Sequence, residues 1–374
     1  MSSPQTPASE TTLQRTPLHE LHRELGGKFV PFAGYEMPVQ YPMGVLGEHL
    51  HTRAKAGLFD VSHMGQLRLR GDGVAAKLET LVPGELQALK PHRMRYTLLT
   101  NDKGGILDDL MVTQLGDHLF LVVNAATKAA DIAHLQANLP SGVELEPLPE
   151  RALLALQGPA AAVVLARLAP AVATMPFMSA ADIEIDGVAC FVTRSGYTGE
   201  DGFELSIPGN AAETVARRLL ADEQVAPIGL GARDSLRLEA GLCLYGHDID
   251  ETTTLAEADL GWAVGKRRRA EGGFPGAEIV LDQLANGAPR KRVGIQPEGR
   301  APAREHTPIL VGGEAVGEIT SGGFGPTHGG PVAMGYVDTA HAAEGSEITL
   351  MVRGTPRPAR VAPLPFVPHR YFRA

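Results

Sequence analysis

The chain has 374 residues, 44% of them hydrophobic and 21% charged, enough for roughly two or three domains with real cores. Its 34 Lys and Arg stand against 43 Asp and Glu, and the net charge of −9 argues against nucleic-acid binding, because neutralising phosphates needs a basic surface. Only Cys190 and Cys243 are present, neither at a metal-like spacing from His or another Cys, so a disulfide framework and a metal site are both unexpected and a reducing compartment is expected.

No apolar run approaches the roughly twenty residues that span a bilayer, so no membrane association is expected. Residues 1–14, MSSPQTPASETTLQ, are polar and contain no Arg or Lys, unlike a mitochondrial presequence. Residues 1–15 read as a short disordered leader, and the expected location is cytoplasmic.

Thr16-Pro17 pairs a helix N-cap with a proline at the first helical position, and Leu18, Leu21 and Leu25 mark one face before Gly26-Gly27 ends the helix. KFVPFAGYEMPVQYPMG has no clear period and reads as an irregular packed loop. A short helix is predicted over 45–56, where His49 and His51, at i and i+2, point to different sides and make a poor metal pair. GLFDVSHMGQLRLRG reads as one strand with alternation at Leu67 and Leu69, followed by a helix at about 73–82.

Tyr96 to Thr100, ILDDLMVTQL and HLFLVVN, separated by NDKGG and GD turns, predict an antiparallel meander, closed by a helix over about 125–138. Strand ALLALQG, a helix from Pro159, strands near 182–194 and 203–208 and a helix near 211–221 follow. GLGARDSLRLEAG reads as a turn into a helix. It lacks the third glycine of a dinucleotide fingerprint, with Asp234 in its place, and no βαβ unit frames it. From about 290, short strands with Gly and Pro turns predict a small antiparallel barrel.

Two stretches carry candidate chemistry. Arg194 to Glu204, RSGYTGEDGFE, has glycines at 196, 199 and 202 with Tyr197, Glu200 and Asp201 between them, and Glu204 opens a strand. Carboxylates beside an aromatic ring suit a flat, nitrogen-rich ligand; a tight hairpin with a solvated acidic turn is the other reading. In ILDDLMV, alternation sends Asp108 and Asp109 to opposite faces, so only one can enter a given cavity. Either a cavity needs that carboxylate or both are edge-strand charges that discourage aggregation.

RSGYTGEDGFE, GGILDDL at 104–110, FDVSHMG at 59–65, GLGARDSLRLEAG at 229–241, FAGYEMPVQY at 32–41 and GEITSGGFGPT at 317–327 together resemble the signature segments of the glycine cleavage system T proteins. The resemblance covers essentially the whole chain after the first fifteen residues. It implies a multi-domain α+β fold, with a folate-binding region over 16–285 whose two mixed α/β lobes, split near 140–150, surround a central cavity. An antiparallel β-barrel over 286–374 would complete it.

The implied reaction is aminomethyl transfer. A lipoylated H protein, the transient partner, would present an aminomethyl group, and tetrahydrofolate as co-substrate would capture its methylene, releasing ammonia and forming 5,10-methylenetetrahydrofolate. No metal, pyridoxal phosphate or flavin is implied. Asp109 matches the catalytic aspartate beside the reactive amines, where an anion stabilises developing positive charge and handles a proton. Glu204, Arg233 and Tyr371 match folate-binding positions, Tyr197 is a wall or hydrogen-bond partner, and Met64, Tyr96 and Asn124 match positions that line the pocket. His63 is left out of the site as a structural histidine. Related proteins include folate-dependent demethylases and a folate-binding protein of iron–sulfur assembly, whose cysteine-centred K-G-C-x-x-G-Q segment has no counterpart in VGKRRRAEGGFPG. The basic runs 266–269 and 290–292 are solvated faces or docking patches for the carrier.

Overall fold

The first helix starts two residues later than the Thr16-Pro17 signal predicts: Thr16 O accepts the His19 amide at 3.1 Å in a turn, Leu18 is the N-cap with no side-chain cap bond, and Leu18 and Leu21 of α1 (His19–Glu24) are buried. The computed structural model describes residues 12–373, so most of the expected leader lies outside the described residues. The aromatic segment after α1 is not an irregular loop. It forms a hairpin of β1 (Lys28–Phe32) and β2 (Tyr35–Gln40), closed by Ala33 and Gly34 at φ 48° and 81°. Such a two-residue turn suits hairpin twist. Pro31 and Pro38 hide its period, and they are tolerated because each strand of a two-stranded sheet keeps a free edge.

Helix α2 (Gly44–Ala54) leads into β3 (Ala56–Asp60) and β4 (Gly65–Arg70). The stretch read as one strand is therefore two, broken where the Met64 amide turns back to Val61 O at 3.0 Å. After α3 (Val74–Leu78), β5 (Arg93–Thr100), β6 (Ile106–Gln114) and β7 (His118–Val123) form the expected meander. Then come α4 (Lys128–Asn138), β8 (Glu144–Pro147), β9 (Arg151–Gln157), α5 (Ala161–Leu168), β10 (Ser179–Ile185), β11 (Val188–Arg194) and β12 (Gly202–Pro208). Helix α6 (Ala212–Leu220), β13 (Val225–Ile228), α7 (Leu230–Glu239), α8 (Lys266–Glu271) and α9 (Ala277–Asn286) complete the larger part.

Among the described residues, one sheet of eleven strands runs through it in the order β13-β3-β9-β12-β11-β10-β5-β6-β7-β4-β8. Early and late segments interleave: β3 lies between β9 and β13, and β10 meets β5 where Ser179 pairs with Arg93. This brings the meander and the glycine-rich loop into one curled surface. Leu154, Leu156, Leu165, Phe203, Leu205 and Leu219 are fully buried in one of its cores, where removing a leucine side chain costs about 2–5 kcal/mol.

The C-terminal strands β14 (Arg290–Pro297), β15 (Pro308–Val311), β16 (Glu314–Gly325), β17 (Gly330–Asp338), β18 (Glu347–Val352) and β19 (Thr355–Ala362) close into a six-stranded antiparallel barrel. Helix α7 fastens the barrel to the sheet. The Arg237 guanidinium donates to Asp248 Oδ2 at 2.6 Å and to Ser321 Oγ of β16 at 2.8 Å. Beyond β19 the tail folds back, donating from Val367 N to Glu239 O at 3.0 Å and from Arg370 N to Gly199 O at 2.8 Å.

Candidate active site

The site begins at β6, flanked by β5 and β7, so Asp108 and Asp109 are not edge charges. Register sets Asp109 opposite Leu98 and Asp108 opposite Leu99. Alternation then turns Asp109 to the side of Tyr96 and Leu98, which packs against the 243–264 segment, while Asp108 faces the core that Leu135 of α4 completes. Just past the end of β7, Asn124 continues the β6–β7 register opposite Asp109, and its Nδ2 donates to Asp109 Oδ1 at 2.7 Å and Asp108 Oδ1 at 2.9 Å. Burial pushes the Asp109 carboxyl up to about 7, and the neighbouring Asp108 adds to this, while hydrogen bonds from Tyr96 and Asn124 hold it back. A group balanced there is populated in both forms near neutrality, which suits proton transfer.

The glycine-rich loop follows β11, and its glycines have separate causes. Gly199 sits at φ 78°, whereas a Cβ on Gly196 would lie 1.8 Å from Gln157 Oε1. Two of the loop's three acids are spent on the fold: Glu200 accepts from Arg53 and Arg370 at 2.8 and 2.5 Å, and Asp201 takes the Arg194 fork at 3.1 and 2.6 Å. Glu204 alone stays uncommitted. On β12, opposite Thr193 and Ala155, its one side-chain hydrogen bond among the described residues comes from the Ser195 hydroxyl at 3.3 Å. Burial raises its carboxyl, and Arg233 and Ser195 work against that.

Arg233, in the first turn of α7, lies with its Cζ 4.6 Å from the centre of the Tyr197 ring. It pairs with neither Asp234 nor Glu239. Asp234 is taken by Arg237, Glu239 by Arg53 and His49, and among the described residues no carboxylate is within 4 Å of Arg233. Its donors are free for an incoming oxygen. The Tyr197 hydroxyl donates to Cys243 O, and both Arg233 and Asp109 act electrostatically on it.

Asp109, Tyr96, Asn124, Tyr197, Glu204, Arg233, Met64 and Tyr371 are all half-buried, the exposure of a lining rather than of a core or a free surface. Asp109, Tyr96, Asn124, Tyr197, Arg233 and Glu204 form one connected group. Met64 packs on the apolar cluster that includes Ala232 and Leu236 of α7, beside Arg233. Tyr371 sits in the tail beside the loop, stacked on Phe177 at 4.2 Å and 10° and next to His369, and among the described residues it makes no hydrogen bond to the Asp109 group. His63 is buried, and burial together with Arg233 pushes its imidazole down to about 4, so the ring is neutral near pH 7; its Nδ1 is buried without a hydrogen-bond partner among the described residues. Sequence reasoning missed Trp262, 65% exposed and stacked on Tyr96 at 5.2 Å, and Asp131 behind Asp108. A lone tryptophan in a Gly-Trp turn was the available signal for the first.

The basic runs are mostly spent on structure. Arg267 pairs with Glu79 and Glu271, Arg268 donates to Glu79 O and Val82 O, and Arg269 to Gly261 O and Val264 O. Arg290 pairs with Glu257, Lys291 with Asp259, and Arg292 bonds Ala258 O and Gly241 O. Among the described residues, Lys266 is the one member of the two runs without a hydrogen-bond or ion-pair partner, while Arg290 and Lys291 keep part of their side chains exposed. Among the described residues no group of three or more His, Cys, Asp or Glu could hold a metal ion, and no helix is long and apolar enough to cross a membrane.

Comparison with known proteins gives one answer. The GCVT N-terminal domain family matches residues 18–268, and the glycine cleavage T-protein C-terminal barrel domain family matches residues 290–368. Similar proteins include the mitochondrial aminomethyltransferase of Dictyostelium discoideum, 45% identical over 97% of this chain and 95% of its own. The probable mitochondrial aminomethyltransferase of Schizosaccharomyces pombe is also 45% identical, over 98% and 96%. The crystal structure of glycine cleavage system aminomethyltransferase T from Bartonella henselae superposes with a TM-score of 0.92 at 46% identity, over 96% of this chain and 100% of that one.

Proposed function

The chain belongs to the glycine cleavage T-protein family and is an aminomethyltransferase, and we propose that it takes its one-carbon unit from the lipoyl arm of an H-protein partner and gives it to tetrahydrofolate. One observation carries the reading. Asp109 of β6, Glu204 of β12 and Arg233 of α7 come from three separate elements, and Asp109 and Arg233 both act on Tyr197 while Glu204 couples to Arg233. A carboxylate, a guanidinium and an aromatic face suit a pteridine with its aminopyrimidine edge and its oxygens.

Tetrahydrofolate supplies the acceptor amines, and the products are 5,10-methylenetetrahydrofolate and ammonia. Glu204, with little else to bond, accepts N–H donors in pairs. Arg233 donates its free fork to an oxygen, and the Tyr197 ring fixes its plane. Asp109 faces the reacting amines, where its ionised form stabilises developing positive charge and its balance near neutrality lets it accept and return a proton. Tyr96 covers it on the side of Trp262. No residue favours the demethylase or iron–sulfur-assembly reading, and 264–276 still lacks the cysteine the latter needs. A cytoplasmic location is part of the same proposal; both cysteines are free buried thiols, which supports a reducing compartment, and fractionation tests it.

The test is direct. Purified protein is mixed with tetrahydrofolate and aminomethyl-loaded lipoyl carrier, and ammonia and methylenetetrahydrofolate are assayed. Equal amounts of both, dependent on carrier and folate, are expected; release of neither would end the proposal.

A further inference from the structure

Behind Asp109 stand two more carboxyl groups that the proposed chemistry does not use. Asp108 of β6 is 0% exposed and Asp131 of α4 is 2% exposed. Among the described residues, no Lys, Arg or His lies within ion-pair distance of Asp108, Asp109 or Asp131. Three acids in one water-poor region with no counter-ion cannot all be ionised, because each charge pays for its own desolvation and repels the others.

Hydrogen bonding says where the proton belongs. Asp108 is an acceptor at both oxygens, taking the Asn124 backbone N–H at 3.1 Å and its Nδ2 at 2.9 Å. Burial raises the Asp108 carboxyl, but these two donors work against that and favour its ionised form. Asp131 Oδ2 is buried without a hydrogen-bond partner among the described residues, and Asp131 stands close enough to Asp108 for each to act on the other's charge. The same Asn124 amide also holds Asp109 Oδ1 at 2.7 Å, so Asp131, Asp108, Asn124 and Asp109 form a line leading to the reacting position.

We propose that Asp131 is a positioning residue, a protonated carboxyl that donates to ionised Asp108 so that Asp108 aims the Asn124 amide at Asp109. The groups facing this line are Asp109 and Tyr96 on the cavity side, Thr127 at the start of α4, and Tyr245 from the segment after α7. Lys128 and His134 share α4 with Asp131, but Lys128 is turned to the Tyr35 hydroxyl at 2.6 Å and His134 makes its ring contact with Asn138. Burial first, and the charge of Asp108 second, push the Asp131 carboxyl well above the usual range, in keeping with this assignment.

The effect on turnover rests on the proposed function; the proton itself does not, and two readouts on the full chain separate them. Asp131→Asn keeps a donor and removes the titration, whereas Asp131→Leu removes both. In thermal unfolding, the native wild type holds a proton that the unfolded chain releases, so its stability falls as pH rises. The melting temperature of Asp131→Asn relative to wild type should therefore rise steadily from about pH 5 to about pH 8. In carrier-dependent turnover, Asp131→Asn should stay within about threefold of wild type, and Asp131→Leu should lose about tenfold or more in kcat with the folate KM within about twofold. A melting difference flat in pH overturns the protonated carboxyl. Equal loss in both variants, or none in Asp131→Leu, overturns the positioning role. If wild type itself does not turn over, the proposed function fails while the melting difference still reads the proton.

Discussion

Arg233 lies over Tyr197 with its Cζ 4.6 Å from the ring centre, and its guanidinium meets no carboxylate of the fold among the described residues. A half-buried arginine without a counter-ion is costly unless a ligand completes it, since charge and desolvation are otherwise uncompensated. Arg233→Ala should weaken tetrahydrofolate binding by roughly 10- to 100-fold, the scale of about 1.5–3 kcal/mol for a charged hydrogen bond. Arg233→Lys should recover only part of this, because a point charge reproduces neither the fork nor the stacking. Calorimetric titration reads both; unchanged affinity in Arg233→Ala would remove Arg233 from the site.

Asp109→Asn keeps the shape and the Asn124 neighbour but removes the charge and the proton. Turnover should fall by about two orders of magnitude or more, with folate affinity within about threefold. The pH dependence has a definite sign. Since burial raises Asp109 to about 7, the ionised form is depleted below that value, so wild-type kcat/KM should climb through about pH 7 and level off above it. Asp109→Asn should lose this limb. A retained limb would assign it to another group.

Much of this site can be read from local pattern, and the rest cannot, for identifiable reasons. Alternation in ILDDLMV separates Asp108 from Asp109 because strand period is a local property, and the structure keeps that separation. The glycine-rich loop announces itself by composition, yet nothing in RSGYTGEDGFE says that Glu200 and Asp201 are consumed by Arg53, Arg370 and Arg194 while Glu204 stays free. Those partners lie on α2, in the C-terminal tail and on β11, and only the assembled sheet brings the first two there. KRRR reads as a surface run for the same reason: Arg268 is buried against carbonyls of 79 and 82, nearly two hundred residues earlier in the chain. Asp131 looks like any acid in a helix first turn, and nothing local says that the packed fold buries it to 2% exposure.

Acid should unfold this chain in a predictable window. Burial alone would raise Asp60 and Glu239, but the His22 partner of Asp60 and the His49, His328 N–H and Arg53 partners of Glu239 hold each down at about 2. A folded-state value below the unfolded one, about 4, means stability that is fully present above about pH 4 and lost as pH falls through about 2. Arg53 also carries Glu200, at 2.8 Å, and Glu239, at 3.0 Å. Arg53→Ala should therefore cost about 3 kcal/mol in urea unfolding, the lower end for breaking a buried pair because Arg370 and His49 remain, and raise the acid midpoint. A loss under about 1 kcal/mol would mean the cluster is solvated.

Trp262 offers a direct reading of the site. It is the chain's single tryptophan, 65% exposed, with its ring 5.2 Å from Tyr96 and inclined 30° to it. The turn that carries it is pinned by Arg269 Nη2, donating to Gly261 O at 2.5 Å, so the indole has a fixed base. Because Tyr96 stands beside Asp109 and the two act on each other electrostatically, a ligand seated against Asp109 lies about one ring away from the indole. Tryptophan emission should therefore change saturably with tetrahydrofolate, at a midpoint matching calorimetry. Arg233→Ala should raise that midpoint about tenfold or more, and Asp109→Asn should leave it within about threefold. Trp262→Phe should abolish the signal yet keep turnover within about threefold, since phenylalanine still stacks on Tyr96. Binding detected by calorimetry without any change in Trp262 emission would put the ligand away from Tyr96, and with it the assignment of Asp109 would fall.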